Sequence, residues 1–310
     1  MVPVHPDARR YLSVVAQEPP WSQLGIDTAR TQRAARNVAW TDTPEPVSRT
    51  TDLLISGPVG RIPLRIYIPG GASPFPVIVY LHGGGWVLGD LDQVDSVCRM
   101  LCNATTSIVI SVDYHLSPEY RFPIAVNEAY RVLEWITQHV HAFGGDATRL
   151  VVAGDSSGGN LAIGTALMTS DRQGPRLKAM ILAYPVCQPN FDTASYQAYG
   201  EGYGLTRKDM QWFWLQYLAH PNDAGNPYAV PLTRSRFTGL PPSLIITAEY
   251  DPLHDEGEEL AARLRRDGIA VETLCVNGMI HGFFVSAWAQ THRRMAVDWV
   301  SSKLRRIVSM

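Results

Sequence analysis

No apolar run in this 310-residue sequence is long enough to cross a bilayer. The longest strand-like runs, "PVIVYL", "SIVISV" and "LVVAG", fall far short of the roughly 20 residues a membrane-spanning helix needs. The opening "MVPVHPDARRYLSVVAQEPPW" has no apolar core of signal-peptide length, so a cytoplasmic protein without stable membrane insertion is expected. An excess of charge of one sign is missing too. The 27 basic and 29 acidic side chains leave a net charge of -2, which argues against nucleic acid or an anionic membrane surface as a partner. Cysteine is scarce: Cys98, Cys102, Cys187 and Cys275 lie in apolar segments without disulfide-framework or zinc spacing, although Cys98 and Cys102 would share a helical face. Buried free thiols are the expected state. There is no internal repeat and no low-complexity tract.

What is present is core-forming material. With 45% hydrophobic and 18% charged residues the chain can bury a large core, and one α/β domain with a lid is expected. From Thr51 onward, eight β-rich runs ("TDLLIS", "LRIYIP", "PVIVYLHG", "SIVISVDY", "LVVAGD", "AMILAYPV", "SLIITAEYD" and "AVETLCV") alternate with helical patterns. Helices are predicted at Val94 to Ala104, Ile124 to Val140, Gly159 to Thr169, Glu256 to Asp267 and Ser286 to Val308. The later strands are continuous apolar runs, as strands covered on both faces should be. This order predicts a mostly parallel eight-stranded sheet flanked by helices, with an antiparallel start. Residues 1–45 and 188–237 break the rhythm and are expected to form a helical cap over a core of residues 46–187 and 238–310. The second break is rich in aromatics and opens a helix near Thr206, where Asp209 completes a capping-box-like start.

The stretch "VVAGDSSGGNLA" carries the chemistry: Gly154, Asp155, Ser156, Ser157 and Gly158 read G-x-S-x-G between a strand and a helix. That is the nucleophile elbow, in which a strained turn lifts the serine hydroxyl above the strand end while small neighbours let strand and helix pass closely. A serine nucleophile needs a base, a carboxylate to hold that base, and donors for the developing oxyanion. Where such an elbow is used, the partners follow in the order acid, then histidine. Asp251 in "LIITAEYDPLHDEGEEL" sits at a strand's end before Pro252, ahead of Asp255 and Glu256, which would fall in the next helix and cap it or complement its dipole, and of Glu249, still in the strand. His281 in "VNGMIHGFF" lies in a loop after the last strand; His5, His115, His141, His220, His254 and His292 lack a comparable setting. The loop "HGGGW", His82 to Trp86, is of the type whose backbone N–H groups help bind an oxyanion, with His82 and Gly83 supporting it. It lacks the patterns of a phosphate-cradling turn. No cofactor and no metal are expected, because protein groups supply nucleophile, base and donors.

Together, "HGGGW", "VDYHLSPEYRFPIAVNEAY", "GDSSGGN", "AEYDPLHDEGEEL" and "GMIHGFF" resemble the bacterial hormone-sensitive-lipase-like carboxylesterases, in their GDSAG-type branch. The resemblance runs in order from about Pro76 to Phe284 and implies the α/β-hydrolase fold with a cap built from an N-terminal segment and an insertion after the sixth strand. It implies a serine carboxylesterase with Ser156, Asp251 and His281 as triad and the N–H groups of Gly84, Gly85 and Ser157 as oxyanion hole. Two departures stand out: Ser157 replaces the usual alanine, which leaves the backbone N–H in place, and "DYHLSPE" puts His115 where an arginine is usual. The expected substrate is a small ester with a short to medium acyl chain, roughly C4 to C8, in an apolar pocket of limited volume walled by Trp86, Tyr184, Trp212 and Phe283. Amides, acetylated amines or lactones remain open as substrates of the same mechanism, as does a non-catalytic receptor on the same fold. A homodimer, paired through the sheet edge "AVETLCV" or a terminal helix, is a further possibility.

Overall fold

The computed structural model describes residues 3–40 and 42–309; Met1, Val2, Thr41 and Met310, at the margins of the expected cap and core segments, lie outside the described residues. Eight strands form one sheet: β1 (Arg49–Ser56), β2 (Arg61–Ile68), β3 (Phe75–Leu81), β4 (Ile108–Val112), β5 (Gly145–Asp155), β6 (Leu177–Ala183), β7 (Ser243–Tyr250) and β8 (Val271–Ile280), in the order β1-β2-β4-β3-β5-β6-β7-β8. The β1/β2 and β2/β4 pairs are antiparallel and every other pair is parallel. The elbow strand β5 is therefore central and β8 lies at an edge. All eight predicted runs are strands. β5 starts at Gly145 rather than Leu150, because its polar opening "GDATR" carries no apolar signal.

Apolar residues at successive strand positions serve opposite faces. Val77, Val79 and Leu81 join one core with α4 (Ile124–His139), α5 (Ser157–Asp171) and α8 (His254–Arg266). Ile78 and Tyr80 join the other with α3 (Asp95–Thr105) and α9 (Gln290–Val308). Coverage on both faces explains why β3 is buried along its whole length. α9 starts at Gln290, after a 3-10 turn over Ala287–Ala289 that the helical pattern from Ser286 had merged with it. Cys98, Cys102 and Cys187 are buried free thiols; Cys275 is exposed, contrary to expectation, because it lies in the first half of edge strand β8, where no side chain is fully covered.

The two rhythm-breaking segments are helical. The first holds α1 (Pro6–Val15), a 3-10 turn (Trp21–Gln23) and α2 (Ile26–Ala39); the second, between β6 and β7, holds α6 (Ala194–Tyr199) and α7 (Arg207–Tyr217). α7 opens with the anticipated box, in which Thr206 Oγ1 accepts from Asp209 N at 3.0 Å and Asp209 Oδ2 from Thr206 N at 3.3 Å. Asp209 Oδ1 also accepts from Ser22 N at 2.8 Å, tying the two segments together. At the other end of α7, Arg121 Nη1 donates to the Leu215 and Leu218 carbonyls, both at 2.9 Å, covering carbonyls the helix leaves unpaired. Arg30 of α2 forks onto Glu119, with both nitrogen–oxygen distances 2.8 Å.

His115, in the arginine's usual place, has its own partner. Its Nδ1 donates to Glu128 Oε1 at 2.6 Å and its backbone N–H donates to Oε2 at 2.8 Å. Burial raises the pKa of Glu128, and those two donors oppose the shift. A carboxylate buried on α4 thus supplies the support for this loop.

Candidate active site

The elbow forms where β5 ends and α5 begins. Ser156 takes φ 55° and ψ -121°, a conformation L-residues rarely adopt. It is held there because Ser156 N donates to Ala183 O at 2.9 Å while its carbonyl accepts from Asn160 N at 3.1 Å and Val186 N at 3.2 Å. A Cβ at Gly158 would stand 2.0 Å from the Leu81 carbonyl oxygen, so only glycine lets α5 pass the end of β3.

Three side chains distant in sequence meet above this turn. Asp251, fully buried just past β7, accepts from Leu253 N at 2.8 Å through Oδ1 and contacts His281 Nδ1 at 2.8 Å through Oδ2. His281 Nε2 lies 2.9 Å from Ser156 Oγ. A carboxylate only accepts, so Nδ1 carries the ring hydrogen and Nε2 presents its lone pair to the serine hydroxyl. The Tyr184 ring lies 4.6 Å from the imidazole, and Tyr184 Oη accepts from Phe284 N at 3.2 Å, fixing the histidine loop from behind. The rival carboxylates are engaged elsewhere. Glu249 accepts from Gly278 N at 2.8 Å. Asp255 and Glu256 lie in the first turn of α8, but instead of capping that helix they reach into the insertion: Asp255 accepts from Ser195 N at 2.9 Å, and Glu256 from Cys187 N at 2.7 Å and Gln188 N at 3.0 Å.

Beside the serine runs the loop 82–86. His82 is buried, with Nδ1 2.9 Å from Gly83 O and its ring stacked on Tyr114 at 4.3 Å. Burial pushes its pKa down to about 4, so the ring is neutral and acts as packing. Gly84 has φ 123°, and a Cβ there would stand 2.2 Å from Leu88 O. Among the described residues the N–H groups of Gly84, Gly85 and Ser157 donate to no protein acceptor, and Ser157 is the first residue of α5, where the helix dipole favours negative charge. Sequence reasoning missed Asp155. Its Oδ1 accepts from Gly83 N and from Tyr80 Oη, both at 3.0 Å, and so holds the glycine loop against the elbow. The available signal was its place as the last residue of β5, where a fully buried carboxylate needs donors.

A small pocket of about 90 Å³ opens on Ser156 and His281. Its walls come from Tyr11 and Trp21 of the first segment, Met210 and Phe213 of α7, and Gly84 and Gly85 of the loop. The four aromatics expected here are not in the walls. Trp86 is fully buried and stacks on Tyr217 at 4.1 Å, because its φ of 61° turns it down into the core under α7. Tyr184 and Phe283 lie behind the histidine, edge to face at 5.7 Å. Trp212 packs half-buried against Phe213, one helix position round from the pocket. No group of three or more metal-ligating side chains occurs among the described residues, and no described helix is long and apolar enough to cross a membrane.

Known proteins share both the pattern and the architecture. The alpha/beta hydrolase fold family matches residues 78–285. A carboxylic ester hydrolase of Mycobacterium tuberculosis is 41% identical over 239 residues, 75% of this chain and 64% of that protein's length. An ethyl acetate hydrolase of Pseudomonas putida is 36% identical over 90% of this chain and 92% of its own. The solved structure of a hyperthermophilic esterase from the archaeon Pyrobaculum calidifontis superposes with a TM-score of 0.94 at 38% identity, covering 100% of both chains.

Proposed function

Because this chain belongs to the α/β-hydrolase fold family, as a hormone-sensitive-lipase-like serine carboxylesterase, we propose that Ser156 is its nucleophile, His281 the base and Asp251 the carboxylate that orients the base. One observation carries the reading: a single imidazole bridges Asp251 at 2.8 Å and Ser156 at 2.9 Å. Nε2 takes the hydroxyl proton as Oγ attacks the ester carbonyl. The resulting oxyanion is received by the N–H groups of Gly84, Gly85 and Ser157. Nε2 then gives its proton to the departing alkoxide, leaving an acyl-serine. Water, deprotonated by the same nitrogen, releases the acid and restores the serine.

The helical segments 1–45 and 188–237 act as the cap over a core of 46–187 and 238–310. The acyl chain is short to medium, roughly C4 to C8; a catalytic pocket of about 90 Å³ and the likeness to a relative named for ethyl acetate hydrolysis favour the short end of that range. The enzyme works in the cytoplasm, which suits three buried free thiols; cell fractionation checks the location. Two copies pair along the free edge of β8, a state sedimentation would detect or exclude.

The test of the catalytic assignment is Ser156→Ala. Turnover of p-nitrophenyl butyrate should fall about a million-fold while far-UV circular dichroism stays unchanged, and a fluorophosphonate should label the unsubstituted protein at Ser156 alone. Undiminished turnover in the variant would overturn the assignment.

A further inference from the structure

Beside its apolar walls the catalytic pocket carries charged and polar side chains, Arg33, Arg36 and Gln93 among them. A second cavity of about 390 Å³ adjoins it, and the two share the walls Tyr11, Arg33, Arg36, Gln93, Val285 and Ser286. A substrate group that reaches from the catalytic pocket into the second cavity passes two arginines. Arg36 is already neutralised: it pairs with Glu18 and stacks over the Trp21 ring at 4.4 Å. Arg33 is not. Its one hydrogen bond among the described residues runs from Nε to Gln93 Oε1 at 3.1 Å, and it makes no ion pair among them. An arginine Nε–H can only donate, so Gln93 presents its oxygen to Arg33 and its amide nitrogen elsewhere. That nitrogen, on a side chain more than nine-tenths buried, has no hydrogen-bond partner among the described residues.

A guanidinium and an amide N–H₂ therefore stand side by side in the shared wall, both short of an acceptor. Among the described residues, the acids lining the two cavities are engaged elsewhere: Asp155 accepts from Gly83 N and Tyr80 Oη, with burial raising its pKa, and Asp42, Asp92 and Asp95 pair with Arg293, Arg65 and Arg99. Arg33 is half-buried, and burial lowers its pKa although the charges of Asp155 and Asp90 act to raise it. Such a group is costly unless something pairs with it.

We infer that Arg33 and Gln93 Nε2 form an anion subsite of the ester pocket, and that the preferred substrates are esters bearing a free carboxylate, such as half-esters of short dicarboxylic acids. The inference rests on the proposed role of Ser156 for hydrolysis, but not for binding. The fork of Arg33 takes the carboxylate oxygens and the Gln93 amide adds a third donor, while the ester carbonyl sits at Ser156.

The test compares p-nitrophenyl hemisuccinate with p-nitrophenyl pentanoate, an uncharged ester of similar acyl length, and 4-acetoxybenzoate with 4-methylphenyl acetate for a carboxylate on the other side of the ester. In the unsubstituted protein at least one charged substrate should exceed its neutral counterpart in kcat/KM by roughly 10- to 100-fold, the span expected of a charge-assisted contact. That ratio should collapse toward one in Arg33→Gln, survive in part in Arg33→Lys, and fall about three- to tenfold in Gln93→Leu. The same preference should appear without turnover, as tighter binding of the charged ester to Ser156→Ala, read by tryptophan fluorescence. Ratios of one or less for both pairs in the unsubstituted protein, or a ratio untouched by Arg33→Gln, would overturn the subsite. Preference retained in binding while Ser156→Ala still turns over would strike at the serine assignment alone.

Discussion

Asp155 sits between the elbow glycine and the nucleophile, yet its carboxylate turns away from the reaction to hold Gly83 N and Tyr80 Oη. Asp155→Ala should leave both donors unpaired and loosen the glycine loop. The expected result is a kcat lower by about 10²- to 10³-fold, the typical cost of losing an oxyanion donor, with about 1–3 kcal/mol less stability. Asp155→Asn keeps an acceptor oxygen and should retain most of the rate; steady-state kinetics and urea unfolding of the pair separate the two effects. Asp251→Asn is expected to be far more damaging, lowering kcat about 10⁴-fold, because an amide in place of the carboxylate favours the wrong tautomer of His281. Equal rates for Asp251→Asn and the unsubstituted protein would contradict the orienting role. The residues of this network were unequally legible in the sequence. Ser156, Asp251 and His281 announce themselves through chain order and flanking turns. Asp155 does not, since nothing in "GDSSG" says where its carboxylate points. The pocket aromatics misled for the same reason: which of Trp212, Phe213 and Trp214 faces substrate depends on how α7 is rotated when it docks, and that is set by packing rather than by local sequence.

At the scale of elements, α7 is tied at both ends to other parts of the chain. Asp209 caps its start and also receives Ser22 N from the first segment, and Arg121 covers its end. Because Phe213 and Met210 of α7 wall the pocket, these ties govern the shape of the site as well as the helix. Asp209→Ala removes two acceptor contacts at once, those to Ser22 N and Thr206 N, and should cost about 1–3 kcal/mol. KM for p-nitrophenyl butyrate should rise more than kcat falls, since Asp209 is remote from Ser156 in the sequence and touches no group of the triad. Denaturant unfolding and initial rates check both statements; a changed kcat at constant KM would refute the second. The strands and long helices were legible because apolar runs and helical periodicity are local signals. The start of the α7 box was legible for the same reason, from two residues three apart. Less visible were the polar opening of β5 and the 3-10 turn before α9, where neighbouring strand pairing and tertiary packing decide the boundary.

On the scale of the whole molecule, one of the joints between the insertion and the core is a buried acid. Glu256 on α8 is fully inaccessible, and its Oε2 receives the N–H groups of Cys187 and Gln188, the residues with which the chain leaves the core. Burial raises its pKa to about 8 despite those two donors. A carboxyl group whose pKa is higher folded than unfolded favours the folded state fully below its unfolded value of 4.5 and loses that advantage as pH rises toward 8. Within that window this one group should make stability fall by about 1.4 kcal/mol per pH unit at most. Glu256→Gln mimics the protonated form: its amide oxygen can accept from both backbone N–H groups, and it does not titrate. Other groups, including the buried neutral His82, act on stability in both proteins and cancel in the difference. The unsubstituted protein and Glu256→Gln should therefore unfold at similar urea concentrations near pH 4.5, with the variant increasingly the more stable from pH 5 to 8 and the gap constant above. Parallel stability curves across that range would mean that Glu256 is ionised in the folded protein, and that the joint between core and insertion is held by charge rather than by a neutral acid.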